Sequence, residues 1–401
     1  MAEAVIVATG RTPIGRAVKG SLVDCRPDDL AALAIKEVLA HIPELDPADV
    51  EDVIMGCGQP AGEAGFNVAR VAAMLAGLDN APGVTVNRYC SSSLQTIRMA
   101  AHAIRAGEGD VFVAAGVETV SRYRHGASDT GSHNEAFADA EARTAARAPA
   151  AGEPWTPLGG LPDVYIAMGQ TAENVAELEG VTREEMDEYA VLSQHRAVES
   201  QASGFFEREI IPVTLPDGTV VTVDDGPRAN TTLEGLSGLK PVFREGGRVT
   251  AGNACPLNDG AAAVVVMSDT RARELGITPL ARIVASGVSG LDPEIMGLGP
   301  VEACRQTLRR AGMTIDDIDL VEINEAFAAQ VIPSARHLGI AWDKLNVKGG
   351  AIALGHPFGQ TGARIMTTLL NALEDTDKTF GLESMCVGGG QGMAMIVERL
   401  S

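Results

Sequence analysis

The chain repeats itself in outline. Ala281-Arg282-Ile283-Val284-Ala285-Ser286-Gly287 echoes Ala4-Val5-Ile6-Val7-Ala8-Thr9-Gly10, and each is a short apolar run closed by glycine, the mark of a buried strand. A helical spacing follows both, at 28–40 and at 301–311, and each leads through an acidic turn (46–54; 315–321) to another strand. In the first copy a strand at 84–87 runs into Cys90-Ser91-Ser92-Ser93 and a helix over 94–106. In the second, Asn346-Val347-Lys348-Gly349-Gly350 leads to a glycine-rich turn and a helix near 362–373. Strands alternating with helices predict an α/β architecture with buried sheets. The duplication predicts two similar sheets about a pseudo-dyad, with extra material inserted in the first copy.

Local signals sharpen this outline. Asp28 or Asp29 is the expected N-cap of the first helix, the serines after Cys90 cap the helix at 94–106, and Gly107 stops it. Residues 121–160 hold Pro149, Pro154 and Pro157 with little periodicity, which predicts a long loop acting as a lid or an oligomer contact. A helical pair is expected at 168–179 and 183–203, a turn at Leu215-Pro216-Asp217-Gly218-Thr219, and a buried strand at 261–267.

Composition narrows the functions open to the chain. At 401 residues with 45% apolar side chains it can bury a large core. Lys plus Arg number 32 against 53 Asp plus Glu, a formal charge of −21. A field of that sign opposes nucleic acids and anionic membranes, so an anionic ligand must meet a local cluster of donors. No apolar run reaches a membrane span, and the first residues lack the basic flank of a signal peptide. Six cysteines are too sparse for a disulfide scaffold, which predicts a reducing, cytoplasmic setting in which thiols stay reactive.

Chemistry-bearing residues gather at strand ends and glycine turns. Cys90 ends a strand and precedes a helix, where backbone amides and the helix dipole lower a thiol pKa; the position is equally that of a core cysteine. His356 is held in Gly355-His356-Pro357, inside a glycine-dense turn. Cys386 leads Cys386-Val387-Gly388-Gly389-Gly390-Gln391-Gly392, whose bare backbone can approach a ligand oxygen. Asn324-Glu325-Ala326-Phe327-Ala328 follows a strand, where α/β proteins place ligand groups, although Glu325 alone reads as a helix-start carboxylate. No CxxC pair or i, i+4 histidines support a metal site. A cysteine hydrolase would not call for a second cysteine in a glycine loop, whereas carbon–carbon bond chemistry does: a nucleophilic thiolate would carry an acyl group while a second thiol moves a proton at carbon or sulfur.

Six blocks in order resemble the thiolase family over essentially the whole chain: Val86-Asn87-Arg88-Tyr89-Cys90-Ser91-Ser92-Ser93; Met168-Gly169-Gln170-Thr171-Ala172-Glu173-Asn174-Val175-Ala176; Thr250-Ala251-Gly252-Asn253-Ala254-Cys255 with Asn258-Asp259-Gly260; the Asn324 block; Gly349 to Arg364; and the Cys386 block. The resemblance implies two βαβαβαββ halves in a five-layered α-β-α-β-α thiolase fold. The N-terminal half would be 1–120 with 245–270, an inserted loop domain 121–244, and the C-terminal half 271–401. It implies Cys90 as acyl-accepting nucleophile and Cys386 as general acid/base. His356 would activate Cys90 and, with a water held by Asn324, form one oxyanion hole; the N–H groups of Cys90 and Gly388 would form the other.

Coenzyme A is implied as substrate, with no permanently bound cofactor and no metal, and contacts to it are expected from Arg228, Ala251, Cys255, Met168 and Phe327. A homodimer or homotetramer is implied, without nucleic-acid or membrane partners. Ala167 stands where short-chain biosynthetic members commonly have a histidine, Cys255 where many have a serine, and Ser-Ser-Ser where Ser-Gly is common. These departures point to a degradative 3-ketoacyl-CoA thiolase of fatty-acid or steroid side-chain breakdown. The nucleophile block is similar to those of actinobacterial enzymes of that kind. The alternatives are a biosynthetic acetyl-CoA C-acetyltransferase and a silent thiolase-like binding protein, the latter expected to have lost Cys90, His356 or Cys386.

Overall fold

A computed structural model describes residues 2–125, 130–148, 155–157 and 159–401. The first half supplies strands β1 (Ala4–Arg11), β2 (Asp52–Gly56), β3 (Gly83–Val86), β4 (Val111–Thr119) and β5 (Asn258–Ser268). The second supplies β6 (Ala281–Gly290), β7 (Leu320–Ile323), β8 (Phe380–Val387) and β9 (Gln391–Arg399). In the first half the spatial order is β3-β2-β4-β5-β1, and β5 runs antiparallel to both neighbours. In the second it is β7-β8-β9-β6, extended beyond β7 by a parallel bridge between Val321 and Leu345. Leu345 thus stands where β3 stands in the first half, and β9, like β5, is antiparallel to both neighbours. Order and sense agree, so the repeat in the sequence is a repeat in space. One continuous mixed sheet results, because β1 and β6 join through only Val5↔Arg282 and Ile6↔Ala281.

The layers follow from strand alternation. Along β5, Ala261, Ala263, Val265 and Met267 face one core, while Ala262, Val264 and Val266 face another. The first core is closed by helices α1 (Pro27–Ala40) and α2 (Val68–Leu75). The second lies between the two halves around α3 (Ser92–Ala106) and α8 (Thr361–Asp375), and also takes Met393, Met395 and Val397 of β9. Ala394 and Ile396 point the other way, into a third core under α6 (Gly299–Ala311) and α7 (Ala328–Leu338). The stack is therefore helix, first half of the sheet, helix, second half of the sheet, helix. The central helices cross closely because position 362 is glycine; a Cβ there would overlap the backbone of Leu94.

Between β4 and β5 the chain leaves the sheet, and α4 (Met168–Leu178) and α5 (Arg183–Ala202) lie in this stretch. Several expectations need correction. The first helix is preceded by Arg26 and has no side-chain cap; Pro27, with its fixed φ, opens it in place of Asp28 or Asp29. Within 121–160, residues Ala138–Arg147 form a helix with one buried residue, Ala140. Its alanine-rich composition favours helix without leaving the apolar stripe that periodicity detects. Pro149 and Pro154 lie outside the described residues. Among the described residues no helix is long and apolar enough to cross a membrane.

Candidate active site

Cys90 sits in a single turn, Tyr89–Ser91, between β3 and α3. Tyr89 takes a left-handed φ of 42°, a strained conformation for an aromatic residue, and its N–H is held by Asn87 Oδ1 at 2.7 Å. The serines do not cap the helix. Ser92 Oγ accepts from Arg88 N at 2.9 Å and donates to Tyr89 O at 2.7 Å, and Ser93 Oγ accepts from Ala363 N at 2.9 Å. The first two bonds fold the Cys90 loop back on itself, and the third ties the start of α3 to α8. The expected low thiol pKa is also overturned. Burial pushes the Cys90 thiol up to about 11, although the N–H groups of Gly388 and Cys90 favour charge on the sulfur; the buried Glu118 carboxylate works against them. Desolvation outweighs two amide donors here.

His356 lies in the turn before α8. Its Nδ1 is 2.6 Å from Thr361 Oγ1, and that hydroxyl donates its one proton to Pro357 O at 2.7 Å. Thr361 can therefore only accept from His356, which places the imidazole proton on Nδ1 and leaves Nε2 as an acceptor. Asn324 Nδ2 donates to that Nε2 at 3.2 Å. Burial, reinforced by the charge of Arg364, lowers the His356 pKa to about 3, so the ring is neutral across the working range. Asn324 is fixed through its backbone carbonyl, which accepts from Gln330 Nε2 at 2.6 Å, and its buried Oδ1 has no hydrogen-bond partner among the described residues.

Cys386 is the last residue but one of β8 and is fully buried. Burial, together with the charges of Cys90 and Cys255, holds its thiol well above the usual range, and Cys90 acts on Cys255 in the same way. Three sulfurs from distant parts of the chain therefore share one neighbourhood. The turn after Cys386 needs glycine at 389 and 390, with φ of 75° and 79°. At Gly388 an added Cβ would lie 3.4 Å from the Tyr89 ring and 3.8 Å from Met168 Sδ, so these two side chains border the Gly388 backbone.

The supporting residues were less legible. Glu325 is no helix-start carboxylate but a buried hub, accepting from Tyr189 Oη at 2.7 Å, Ser193 Oγ at 2.6 Å, Asn346 Nδ2 at 2.9 Å and Ile352 N at 3.1 Å. Glu118, also buried, accepts from the N–H groups of Gly58, Gln59 and Gly359 and from Tyr123 Oη, clamping the turn after His356 onto the first half. Asn258 Oδ1 holds His356 N at 3.0 Å. Sequence reasoning gave no role to Thr361, Glu118 or Asn258; the one available signal was Thr361, five residues past the histidine at the mouth of a helix.

The expected coenzyme A contacts scatter more widely. Met168 borders Gly388, and Cys255, half-buried, lies by the two catalytic-candidate sulfurs. Phe327 is buried, bridges to Ala254 and meets Phe243 edge-on at 6.1 Å. Ala251 is exposed in a turn beside it. Arg228 is exposed, within reach of the like charge of Arg16, and has no ion pair among the described residues. Among those residues no three His, Cys, Asp or Glu side chains are arranged to hold a metal ion.

These features belong to one class of protein. The family model described as thiolase, N-terminal domain, matches residues 4–270, and that described as thiolase, C-terminal domain, matches 277–399. The chain belongs to the thiolase family and is an acyltransferase acting on coenzyme A thioesters. It is 45% identical over 413 residues to the beta-ketoadipyl-CoA thiolase of Acinetobacter baylyi, covering 100% of each chain. It is 44% identical over 409 residues to the 3-ketoacyl-CoA thiolase of Aeromonas hydrophila, again with 100% coverage of both. The solved dimeric peroxisomal thiolase of Saccharomyces cerevisiae matches with a TM-score of 0.89 and 36% identity over 99% of this chain and 97% of that one. The Bacillus anthracis acetyl-CoA acetyltransferase matches at 0.86 and 40%, over 100% and 99%.

Proposed function

We propose that the enzyme is a degradative thiolase that cleaves a 3-ketoacyl-CoA with CoA to acetyl-CoA (or propionyl-CoA) and a shortened acyl-CoA. Cys90 Sγ attacks the 3-keto carbon while His356 Nε2 takes its proton. The resting pair is a neutral thiol and a neutral imidazole, so transfer accompanies attack. The oxyanion is met by donors already in place: His356 Nε2–H once protonated, with Asn324, on one side, and the N–H groups of Cys90 and Gly388 at the other hole. The bond between C2 and C3 then breaks. The acetyl-CoA enolate takes a proton from Cys386, which later takes one from incoming CoA. The CoA thiolate lifts the acyl group from Cys90, and His356 returns its proton to that sulfur. The observation that carries this reading is the buried His356 ring, held by Thr361 Oγ1 at Nδ1 and by Asn324 Nδ2 at Nε2, with the Gly388 amide favouring charge on the Cys90 sulfur.

Arg228, Ala251, Cys255, Met168 and Phe327 line the proposed coenzyme A path. The loop domain 121–244 supplies part of it and divides the N-terminal half (1–120, 245–270) from the C-terminal half (271–401). A homodimer is favoured by β3, an edge strand with no outer neighbour among the described residues, next to Phe66, which is 86% exposed. Steady-state thiolysis of acetoacetyl-CoA, long-chain and steroid-side-chain 3-ketoacyl-CoA tests the reading. Ping-pong kinetics with higher kcat/KM for a larger substrate support it, and a preference for the four-carbon substrate overturns the degradative direction.

A further inference from the structure

Nothing in the reaction above says what holds Gly388 still. It opens a turn of three glycines, Gly388-Gly389-Gly390, the residues with the most backbone freedom to lose. At the far end the turn is fixed by Leu291 N, which donates to Gly390 O at 2.8 Å. At the near end, Gln391 Nε2 donates to Gly388 O at 3.2 Å. Gln391 is held in turn: Arg88 Nη1 donates to its Oε1 at 2.8 Å, and Arg88 Nε donates to Gln95 Oε1 at 3.1 Å. Arg88 sits two residues before Cys90, and its own N–H is tied to Ser92 Oγ. One guanidinium thus grips the first turn of α3 with one edge and the glycine turn of the other half with the next.

We infer that Arg88 and Gln391 are positioning residues that fix the Gly388 peptide relative to Cys90, through the chain Arg88–Gln391–Gly388 carbonyl. A charged donor on the amide oxygen of Gln391 polarises its N–H groups and strengthens the bond to Gly388. The tie crosses the interface between the halves, where the side chains bordering Gly388 are the Tyr89 ring and Met168 Sδ, neither of which holds its carbonyl. A guanidinium is required because a lysine ammonium cannot serve Gln95 and Gln391 in this planar fork. This inference rests on the proposal that Gly388 N–H stabilises an oxyanion.

The test is acetoacetyl-CoA thiolysis by Gln391→Leu, Gln391→Glu, Arg88→Met and Arg88→Met/Gln391→Leu, with melting temperatures measured alongside. Gln391→Glu keeps an acceptor for Arg88 but has no donor for Gly388 O, so it separates positioning from simple anchoring of Arg88. Loss of a single oxyanion donor costs about 10²–10³ in kcat, and a displaced donor should cost about 10- to 100-fold. The expected result is that loss in both Gln391 variants, with KM for CoA within about two-fold and a double variant no slower than the slower single one. Wild-type kcat in Gln391→Glu, or losses that multiply in the double variant, overturns the inference. Cys90→Ser is run in parallel. If that variant keeps its activity, the underlying reading fails; if it is inactive while the Gln391 variants match wild type, only the positioning role fails.

Discussion

His356 Nδ1 lies 2.6 Å from the Thr361 hydroxyl, whose proton is already committed to the carbonyl of Pro357. This pair decides which ring nitrogen is free to act as a base. Thr361→Val removes the acceptor while keeping the shape. General base catalysis contributes about 10²–10⁴-fold, so kcat should fall at least about 10-fold, whereas Thr361→Ser, which keeps the hydroxyl, should stay near wild type. Steady-state thiolysis of both variants checks this.

The pKa directions at Cys90 and His356 predict an unusual pH response. A thiolate–imidazolium pair would give alkylation by iodoacetamide that levels off below neutrality. With the thiol pushed up to about 11 and the imidazole down to about 3, the alkylation rate of the free enzyme should instead keep rising with pH, without a plateau below pH 9. A plateau near pH 6 to 7 would contradict the assignment of a neutral resting pair.

Glu322 and Glu383 are register partners on parallel strands, both fully buried near Arg364. Burial raises Glu322 to about 8 and Glu383 well above the carboxylate range. A raised folded pKa means folding takes up a proton, so the contribution to stability is complete below the unfolded value and is lost as pH rises. Glu383→Gln presents the neutral shape without needing that proton. It should stabilise the protein at pH 7.5, and the gain should shrink as pH falls to the ordinary carboxylate range, where the wild-type carboxyl is protonated in the unfolded chain too. Urea unfolding at the two pH values measures it.

The open edge of β3 predicts self-association. Phe66→Asp, or Val84→Lys on the strand itself, should shift native mass from a dimer towards a monomer, because a charge on an edge strand opposes pairing with a second copy. An unchanged mass in both variants would place the contact elsewhere.

Much of the fold was legible because it depends on pattern. The apolar runs, the glycine stop at Gly107 and the repeat itself all express local rules, and the two halves share one strand order. Cys90, His356, Cys386 and Asn324, the proposed catalytic residues, stand out in the sequence for the same reason. What escaped depends on distant partners. Glu325 looks like any acid at a helix start until Tyr189, Ser193 and Asn346 converge on it, and Glu118 until residues 58 and 359 are brought together. The Cys90 pKa failed for a related reason: helix-end position is visible in a sequence, but the depth of burial that outweighs it is not.

The most direct measurement is the site of the covalent intermediate. The protein is mixed with acetoacetyl-CoA in the absence of free CoA, quenched in acid and digested, and the peptides are weighed. One acetyl group on the peptide containing Cys90, absent in Cys90→Ser and present in Cys386→Ser pre-loaded with acetyl-CoA, is the predicted result. An acetyl group on the Cys386 or Cys255 peptide, with Cys90 unmodified, would contradict the account.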